Sequence, residues 1–207
     1  LVYYEQQRFD EAIKEYMIAI KLKPDYPDAY NNLGNIYAKY GRFDEAIKEY
    51  TMALKLNPNS PEAYNNIGSV YARQGQFDEA IKEFLIALKL NPENTEIHNN
   101  IANAYYVKGD ADKAIEYYQI TLKLKPDYPE AHLNLGNAYF KQNRFDETIR
   151  EYLIAIKLKP DHIGAHYNLG FVYLKKGLKQ KAEEEFKTAL KLSPDFTPAR
   201  EALKSVK

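Results

Sequence analysis

Asparagine side chains that recur at one position of a repeated segment are the first feature of this sequence with an evident chemical use. Asn32, Asn66, Asn100, Asn134 and Asn168 follow one another at intervals of 34 residues without a substitution. A carboxamide has one acceptor and two donors, so it can pair with the N–H and C=O groups of an extended peptide without reading the side chains of that peptide. Asparagine is only a middling helix former, so helix propensity does not explain why these residues recur. We name these five residues the asparagine column.

Further asparagines widen this polar strip. They are Asn31, Asn65 and Asn99, which precede the column, and Asn35, Asn103 and Asn137, which lie three residues after it. Two interpretations stay open: a ladder that grips a peptide backbone, and hydrogen bonds between helices of the protein itself; the two can coexist. If each amide pair contributes about 0.5–1.5 kcal/mol, a ladder of this size gives roughly 5 kcal/mol before the ordering entropy of the peptide is subtracted. That free energy corresponds to millimolar or weaker binding, so we expect side-chain pockets to supply the rest.

Aromatic residues provide a candidate for such a pocket. Tyr106, Phe140, Tyr167 and Phe171 stand in the later copies of the repeat, at positions where the first copy has alanine or asparagine. We predict that they anchor an apolar side chain of an extended ligand whose backbone runs along the asparagines. The alternative is additional packing between neighbouring helices near the end of the array.

The sequence offers little for catalysis or metal binding. His98, His132 and His166 stand where earlier copies have tyrosine, so we interpret them as packing aromatics. His162 and His166 are four residues apart, but Pro160 places His162 in a turn, and no carboxylate completes a metal site. There is no glycine-rich phosphate loop, no nucleophile motif and no pair of carboxylates outside the repeat pattern. We therefore predict no catalytic residue, no metal and no cofactor, and a segment that is not an enzyme.

Charge and cysteine content limit the partners. The chain has 29 Lys+Arg and 29 Asp+Glu, and no run of like charges forms the basic stripe that nucleic-acid binding requires. Because the chain has no cysteine, disulfides, thiolate metal sites and cysteine nucleophiles are excluded. No apolar run approaches the ~18 residues of a membrane span. These observations favour a protein or peptide partner, and they leave the compartment open.

The elements that must position these residues follow from the repeat. Apolar residues such as Leu33 and Tyr37, and then Tyr50, fall at helical spacing in two runs per copy, which predicts two helices separated by a turn. Glycines stand between the runs, and prolines such as Pro58 follow the second run. Gly34 lies on the apolar stripe, where a larger side chain would hold the paired helices apart. The complete copies are 27–60, 61–94, 95–128, 129–162 and 163–196; a partial copy at 1–26 precedes them, and a short capping helix at 197–207 follows.

The spacing of Leu33, Gly34, Tyr37 and Tyr50, repeated along essentially all 207 residues, resembles the tetratricopeptide repeat family. The resemblance implies an all-α, right-handed superhelical solenoid of helix-turn-helix repeats, in which the first helices line a concave groove. It also implies a protein-protein interaction module. The asparagine column is similar to a ladder in the tetratricopeptide superhelix of the enzyme that attaches N-acetylglucosamine to proteins, where the ladder grips the substrate backbone. Three departures from the family pattern, at Thr121, Asn143 and Thr148, are expected to affect local packing rather than the fold.

We therefore predict that the chain binds an extended peptide in the groove through the asparagine ladder. Two alternatives remain: a self-assembling scaffold, and the recognition arm of a larger enzyme whose catalytic domain lies elsewhere. Leu1, Val2 and Tyr3 are expected to belong to a first helix truncated upstream, whose apolar edge would favour self-association. Lys179 and the polar final helix indicate that the opposite end of the array is a natural cap.

Overall fold

A computed structural model of the chain describes residues 2–206, with side chains from residue 8 onward. Within that range there are twelve α-helices and no strand, and no helix is both long and apolar enough to cross a bilayer. In chain order the helices are α1 (Val2–Leu22), α2 (Pro27–Lys39), α3 (Phe43–Leu56), α4 (Pro61–Arg73), α5 (Phe77–Leu90), α6 (Thr95–Lys108), α7 (Ala111–Leu124), α8 (Pro129–Lys141), α9 (Phe145–Leu158), α10 (Ile163–Lys175), α11 (Lys179–Leu192) and α12 (Thr197–Val206).

The helices pair as the repeat predicts. The first helices of the complete copies are α2, α4, α6, α8 and α10, and the second helices are α3, α5, α7, α9 and α11. Within the copies, α2 packs on α3, α4 on α5, α8 on α9 and α10 on α11. The contacts divide the chain into two compact units, Leu1–Ala104 and Tyr105–Lys207, and the division falls within α6. We describe each unit by itself.

The turn between the two helices of a copy depends on one residue with a positive φ. Glycine takes this place in four copies, with φ between 75° and 95°, and Asn143 takes it in the remaining copy with φ 59°. Asparagine is one of the few residues that adopts this conformation readily, which explains why the departure at Asn143 does not change the fold.

The partial copy differs from the expectation. Helix α1 continues through position 7, where the complete copies turn. Gln7 stands 34 residues before Gly41, and glutamine has no preference for a positive φ, so nothing in the sequence stops the helix there. The predicted apolar edge at Leu1, Val2 and Tyr3 lies outside the side chains that the structure describes.

The two threonines that replace alanine are accommodated without an unpaired hydroxyl. Thr121 and Thr148 are both fully buried. Thr121 Oγ1 donates to the Tyr117 carbonyl at 2.9 Å, and Thr148 Oγ1 donates to the Arg144 carbonyl at 2.8 Å. Each hydroxyl therefore bonds one turn back along its own helix, and the substitution changes only the local packing.

Four of the hairpins close on a contact between an aromatic ring of the second helix and a glycine of the first, and the third copy has Ala102 in place of the glycine. A β-carbon at Gly34 would lie 2.6 Å from the Tyr50 ring, and one at Gly136 would lie 2.5 Å from the Tyr152 ring. Phe84 and Phe186 lie in the same way against Gly68 and Gly170. All four rings are almost completely buried, so the prediction that glycine sets the distance between the paired helices is confirmed.

Replacing Gly68 by alanine tests this contact. The new β-carbon would meet Phe84 Cδ1 and Cε1 at 2.6 Å and the Ala80 carbonyl at 3.1 Å. We expect Gly68→Ala to lower the free energy of unfolding by about 1–3 kcal/mol because the hairpin is overpacked, as measured by urea denaturation. Helix propensity alone predicts a gain of about 0.5–1 kcal/mol, so the sign of the change separates the two effects.

Ser69→Ala on the same helix is the matched control. Ser69 is half-buried and makes no side-chain hydrogen bond among the described residues, so its replacement should change the stability by less than about 0.5 kcal/mol. A Gly68→Ala variant as stable as Ser69→Ala would contradict the packing described above.

Candidate functional site

Three carboxamides of the asparagine column, those of Asn66, Asn100 and Asn168, bond to the preceding repeat through their nitrogen atoms. In the first unit, Asn66 Nδ2 donates to Asn31 Oδ1 at 3.1 Å and to Asn35 Oδ1 at 3.0 Å. Asn100 Nδ2 donates to Asn65 Oδ1 at 3.0 Å. The Nδ2 atoms of these side chains therefore make hydrogen bonds between neighbouring first helices of the protein. The inter-helix interpretation holds for these residues, while contact with a peptide stays a prediction.

A hydroxyl from the second helix completes this arrangement. In the second unit, Asn137 Oδ1 accepts hydrogen bonds from Tyr152 Oη at 2.6 Å and from Asn168 Nδ2 at 3.0 Å. In the first unit, Tyr50 Oη donates to Asn35 Oδ1 at 2.8 Å, and Asn66 donates to the same oxygen. Burial raises the pKa of Tyr50 to about 12, so its hydroxyl keeps its proton and remains a donor. We name the two groups, Asn35–Tyr50–Asn66 and Asn137–Tyr152–Asn168, the amide trios.

The sequence contains a signal for the trios that the repeat pattern alone does not reveal. In the five complete copies, wherever the first helix has asparagine at this position, the residue 15 places later is tyrosine, and wherever it has another residue, phenylalanine follows instead. The tyrosine pairs are Asn35 with Tyr50, Asn103 with Tyr118 and Asn137 with Tyr152, and the phenylalanine pairs are Ser69 with Phe84 and Phe171 with Phe186. A buried hydroxyl is present only where an amide oxygen can accept its proton.

The hydrogen bonds also determine which atoms remain available in the second trio. Asn137 Oδ1 accepts two hydrogen bonds, so Asn137 is left with Nδ2, whereas Asn168 has used Nδ2 and is left with Oδ1. In the described part of the chain neither remaining atom has a hydrogen-bond partner, and both side chains are half-buried. The trio thus presents one donor group and one acceptor next to each other. In each trio the asparagine of the column, Asn66 or Asn168, keeps a free side-chain oxygen. The other asparagine, Asn35 or Asn137, keeps a free side-chain nitrogen.

The asparagines that precede the column lie below the surface. Asn31, Asn65 and Asn99 are only 7–8% exposed. Asn31 Nδ2 donates to Glu62 Oε1 at 2.6 Å, and Asn65 Nδ2 donates to Glu96 Oε1 at 3.4 Å. These side chains connect α2 to α4 and α4 to α6, and their burial argues against direct contact with a ligand.

The other predicted amides differ in their surroundings. Asn32 is half-buried and has no side-chain hydrogen bond within the described range, and Asn35 is exposed. Asn103 and Asn134 both take part in interactions within the protein. Asn35 is therefore the most accessible of the predicted amides in the first unit.

Aromatic residues of the second unit form a pocket of about 190 Å³. Its lining comprises Asn137, Phe140, Tyr152, Tyr167, Asn168, Phe171 and Val172, from α8, α9 and α10, and we name it the aromatic pocket. The Phe140 and Phe171 rings meet nearly edge to face, with centroids 6.0 Å apart at 62°. Tyr152 and Val172 are 2% and 1% exposed, so they form its bottom. The second amide trio therefore lines the same pocket as the aromatic rings.

The structure brings together three of the four residues that the sequence suggested as an anchor. Phe140, Tyr167 and Phe171 line the pocket, and Tyr106 is not among the lining residues. Lys141 Nζ lies 3.8 Å from the centroid of the Tyr106 ring and donates to the Tyr106 carbonyl at 3.0 Å. Sequence reasoning missed Tyr152 and Val172, because their periodicity marks them only as core residues.

Two histidines of the second unit are buried and hydrogen-bonded on both sides. His132 Nδ1 lies 2.7 Å from Glu151 Oε2, and its Nε2 lies 3.0 Å from the Pro126 carbonyl. His166 makes the equivalent contacts 34 residues later. Burial lowers the pKa of His132, but the hydrogen bonds to Glu151 and to the carbonyl outweigh burial and raise it. Because both ring nitrogens face acceptors, this site stabilises the doubly protonated ring.

The structure does not assemble a metal site from the histidine pair. His162 Nδ1 accepts a hydrogen bond from the Ala165 amide at 3.3 Å and caps α10, so His162 lies in the turn as the sequence predicts. From residue 8 to residue 206, no three metal-ligating side chains form a group that could hold an ion. His166 is held by its own carboxylate and carbonyl partners.

Comparison with protein families matches nearly the whole chain. A family model described as TPR repeat matches residues 1–41, 34–75 and 136–177. Models described as tetratricopeptide repeat match residues 65–129, 108–152 and 163–196. A sequence search of curated proteins found no significant match.

Solved structures with the same fold include three that match most of this chain. YrrB, described as a TPR protein with an unusual peptide-binding site, is 25% identical, has a TM-score of 0.75, and is matched over 91% of this chain and 97% of its own. MamA is 28% identical with a TM-score of 0.73, over 81% of this chain and 92% of its own. A chain of the APC/C hetero-tetramer Cut9-Hcn1 supports the fold alone. It is 24% identical, has a TM-score of 0.80, and is matched over 99% of this chain and 41% of its own.

A double-mutant cycle on Asn137 and Tyr152 tests the trio. Tyr152→Phe removes the hydroxyl donor, and Asn137→Ser removes the amide, so the double variant recreates the Ser69 and Phe84 pair of the second copy. We expect each single change to lower the free energy of unfolding by about 0.5–1.5 kcal/mol. In urea denaturation, the double variant should be more stable by about 1 kcal/mol than the sum of the two single-variant losses predicts. Strictly additive costs would show that the hydroxyl and the amide do not interact.

The pH dependence of stability tests the His132 site. The pKa of His132 is raised in the folded state. The stability that protonated His132 contributes is therefore fully present below the unfolded-state pKa of about 6.5 and is lost as the pH rises through the folded-state pKa. His132→Tyr places the residue of the first two copies at this position and removes the titration. Between about pH 5.5 and pH 8.5 the free energy of unfolding should fall more in the wild type than in His132→Tyr. Parallel pH profiles in urea denaturation would refute this assignment.

Proposed function

Because this chain belongs to the tetratricopeptide repeat family, whose repeats form protein-interaction modules, we propose that it binds an extended segment of a protein partner along its first helices. The observation that carries this proposal is the position of the second amide trio. Its free donor and acceptor line the same pocket as three aromatic rings. Main-chain recognition and side-chain recognition are thus available at one place.

The main chain of the ligand pairs with the amides. An extended peptide unit offers one N–H and one C=O, which match Asn168 Oδ1 and Asn137 Nδ2. The first trio leaves the same two kinds of atom on Asn66 and Asn35. The oxygen atoms of Asn32 and Asn100 add further acceptors, and the buried Asn31 and Asn65 connect neighbouring first helices through Glu62 and Glu96. Because these groups contact only the backbone, they place no demand on the ligand sequence.

One side chain of the ligand enters the aromatic pocket. An apolar cavity of about 150 Å³ is known to hold benzene, so the pocket volume of about 190 Å³ suits a single phenylalanine, leucine or methionine side chain. Burying such a side chain contributes about 1.5–3 kcal/mol, which corresponds to roughly ten- to a hundredfold in affinity. This contribution raises the millimolar affinity of the amides alone toward the micromolar range.

Peptides selected from a random phage-displayed library on the wild-type protein test the proposal. We expect Phe140→Ala combined with Phe171→Asn, the residues that the first copy has at these positions, to weaken the selected peptides by about ten- to a hundredfold in isothermal titration calorimetry. Both rings are partly exposed, so the fold should survive. Tyr167 stays unchanged because it also packs against Phe186 and Phe196.

Leu153→Ala is the matched control. Leu153 is 45% exposed on the second helix α9 and is not a pocket residue, so its removal should leave the affinity unchanged. Circular dichroism melts of all variants monitor folding. Unchanged affinity of a folded Phe140/Phe171 variant, or a library that yields no peptide, would overturn the proposed function.

A further inference from the structure

The charges around the aromatic pocket point to the kind of peptide that it takes. Building on the proposed function, we propose that the bound segment carries an acidic residue within about two positions of its apolar anchor, and that Lys175 recognises the carboxylate. The partner is therefore an extended, acidic segment with one large apolar side chain.

Lys175 is a free cation beside the pocket. It lies one helical turn after Phe171 on α10, and its Nζ is 5.5 Å from the centroid of the Phe171 ring. It is exposed and has no carboxylate partner among the residues that the structure describes. The next residue, Lys176, forms an ion pair with Asp146. The charge of Lys176 is thus compensated within the protein, and that of Lys175 is not.

The nearby carboxylate of Asp146 is neutralised by Lys176, and the adjoining end of α8 adds positive charge. Lys141, in the last turn of α8, is held over the Tyr106 ring and forms no ion pair in the described part of the chain. The first turn of α10 contains no acidic residue, and Glu130 at the start of α8 lies 3.7 Å from Lys159 Nζ. None of the seven pocket residues is acidic. A carboxylate on the ligand would therefore meet Lys175 without a competing carboxylate among the pocket residues.

The distances suit a neighbour of the anchor residue. An extended chain advances about 3.3 Å per residue, so one or two residues span the separation between the Phe171 ring and the ammonium group. Ion pairs at exposed sites are weak, and we expect an acidic neighbour to improve the affinity only about two- to fivefold, with a strong dependence on salt. Lys175 therefore determines which apolar peptides are preferred, whereas the pocket supplies most of the binding.

Three synthetic heptapeptides with blocked ends separate the contributions. The first has phenylalanine at its centre, aspartate two positions to either side and glycine elsewhere. The second replaces both aspartates by lysine, and the third replaces the phenylalanine by alanine. Dissociation constants come from backbone amide shifts in nuclear magnetic resonance titrations at low and at high salt. Such titrations remain quantitative for millimolar complexes.

We expect the wild-type protein to bind the aspartate peptide about two- to fivefold more tightly than the lysine peptide at low salt, and equally at high salt. Lys175→Gln, which keeps the aliphatic stem, should abolish this preference and leave the requirement for phenylalanine intact. Lys176→Gln is the matched control, since that lysine is already paired, and it should preserve the preference.

The outcomes distinguish this inference from the proposed function. A wild-type protein that binds the lysine peptide as tightly as the aspartate peptide, while still requiring phenylalanine, would overturn the role of Lys175 only. Equal binding of the phenylalanine and alanine peptides would overturn the pocket and the proposed function together. Amide shifts at the pocket that change with protein concentration alone would identify a second copy of the chain as the occupant, and the inference would be wrong.

Discussion

The close approach of an aromatic ring to a glycine is the contact on which the rest of this structure depends. The ring of Tyr50 or Tyr152 occupies the space where a β-carbon of the first helix would otherwise lie. Because protein interiors are close-packed, this contact fixes the distance between the two helices of a hairpin within narrow limits. It also places the tyrosine hydroxyl next to the residue that follows the glycine in the sequence, which is Asn35 or Asn137. Packing and polar recognition therefore begin at the same atoms.

The choice between tyrosine and phenylalanine at the buried ring determines what the first helix presents. A tyrosine hydroxyl needs an acceptor, and Asn35 and Asn137 supply it with their side-chain oxygens. The nitrogen of the same carboxamide then turns away from the hydroxyl. Where the ring is phenylalanine, no hydroxyl needs an acceptor, and the first helix has Ser69 or the apolar Phe171 in place of the asparagine. A group buried in the core thus controls the chemistry of the exposed helix.

The two units use this principle differently. In the first unit, asparagines and the glutamates Glu62 and Glu96 form a polar network between neighbouring first helices. In the second unit, Leu133 and Tyr167 replace the buried asparagines, and a pocket opens beside the remaining trio. Glu62 and Glu96, which the sequence places at the starts of first helices, are hydrogen-bonded to Asn31 and Asn65 of the preceding repeats. The lysine beside the pocket has no such partner, so the pocket offers both apolar surface and positive charge.

The sequence by itself determined the elements of this protein, because they depend on local chemistry. The 34-residue period, the positive-φ turn at Gly41 and its equivalents, and the glycine beneath each ring all follow from spacing and from the conformational freedom of single residues. The sequence also predicted the asparagine column and four anchor residues, of which the second unit brings three together in one pocket. Only the tertiary structure decided how they are used. The partners of Asn66 and Asn168 lie 31 to 35 residues away, so no helical period shows which end of each carboxamide is taken. In the same way, Lys141 contacts Tyr106 of the preceding repeat, and a pattern within one repeat does not contain such a contact.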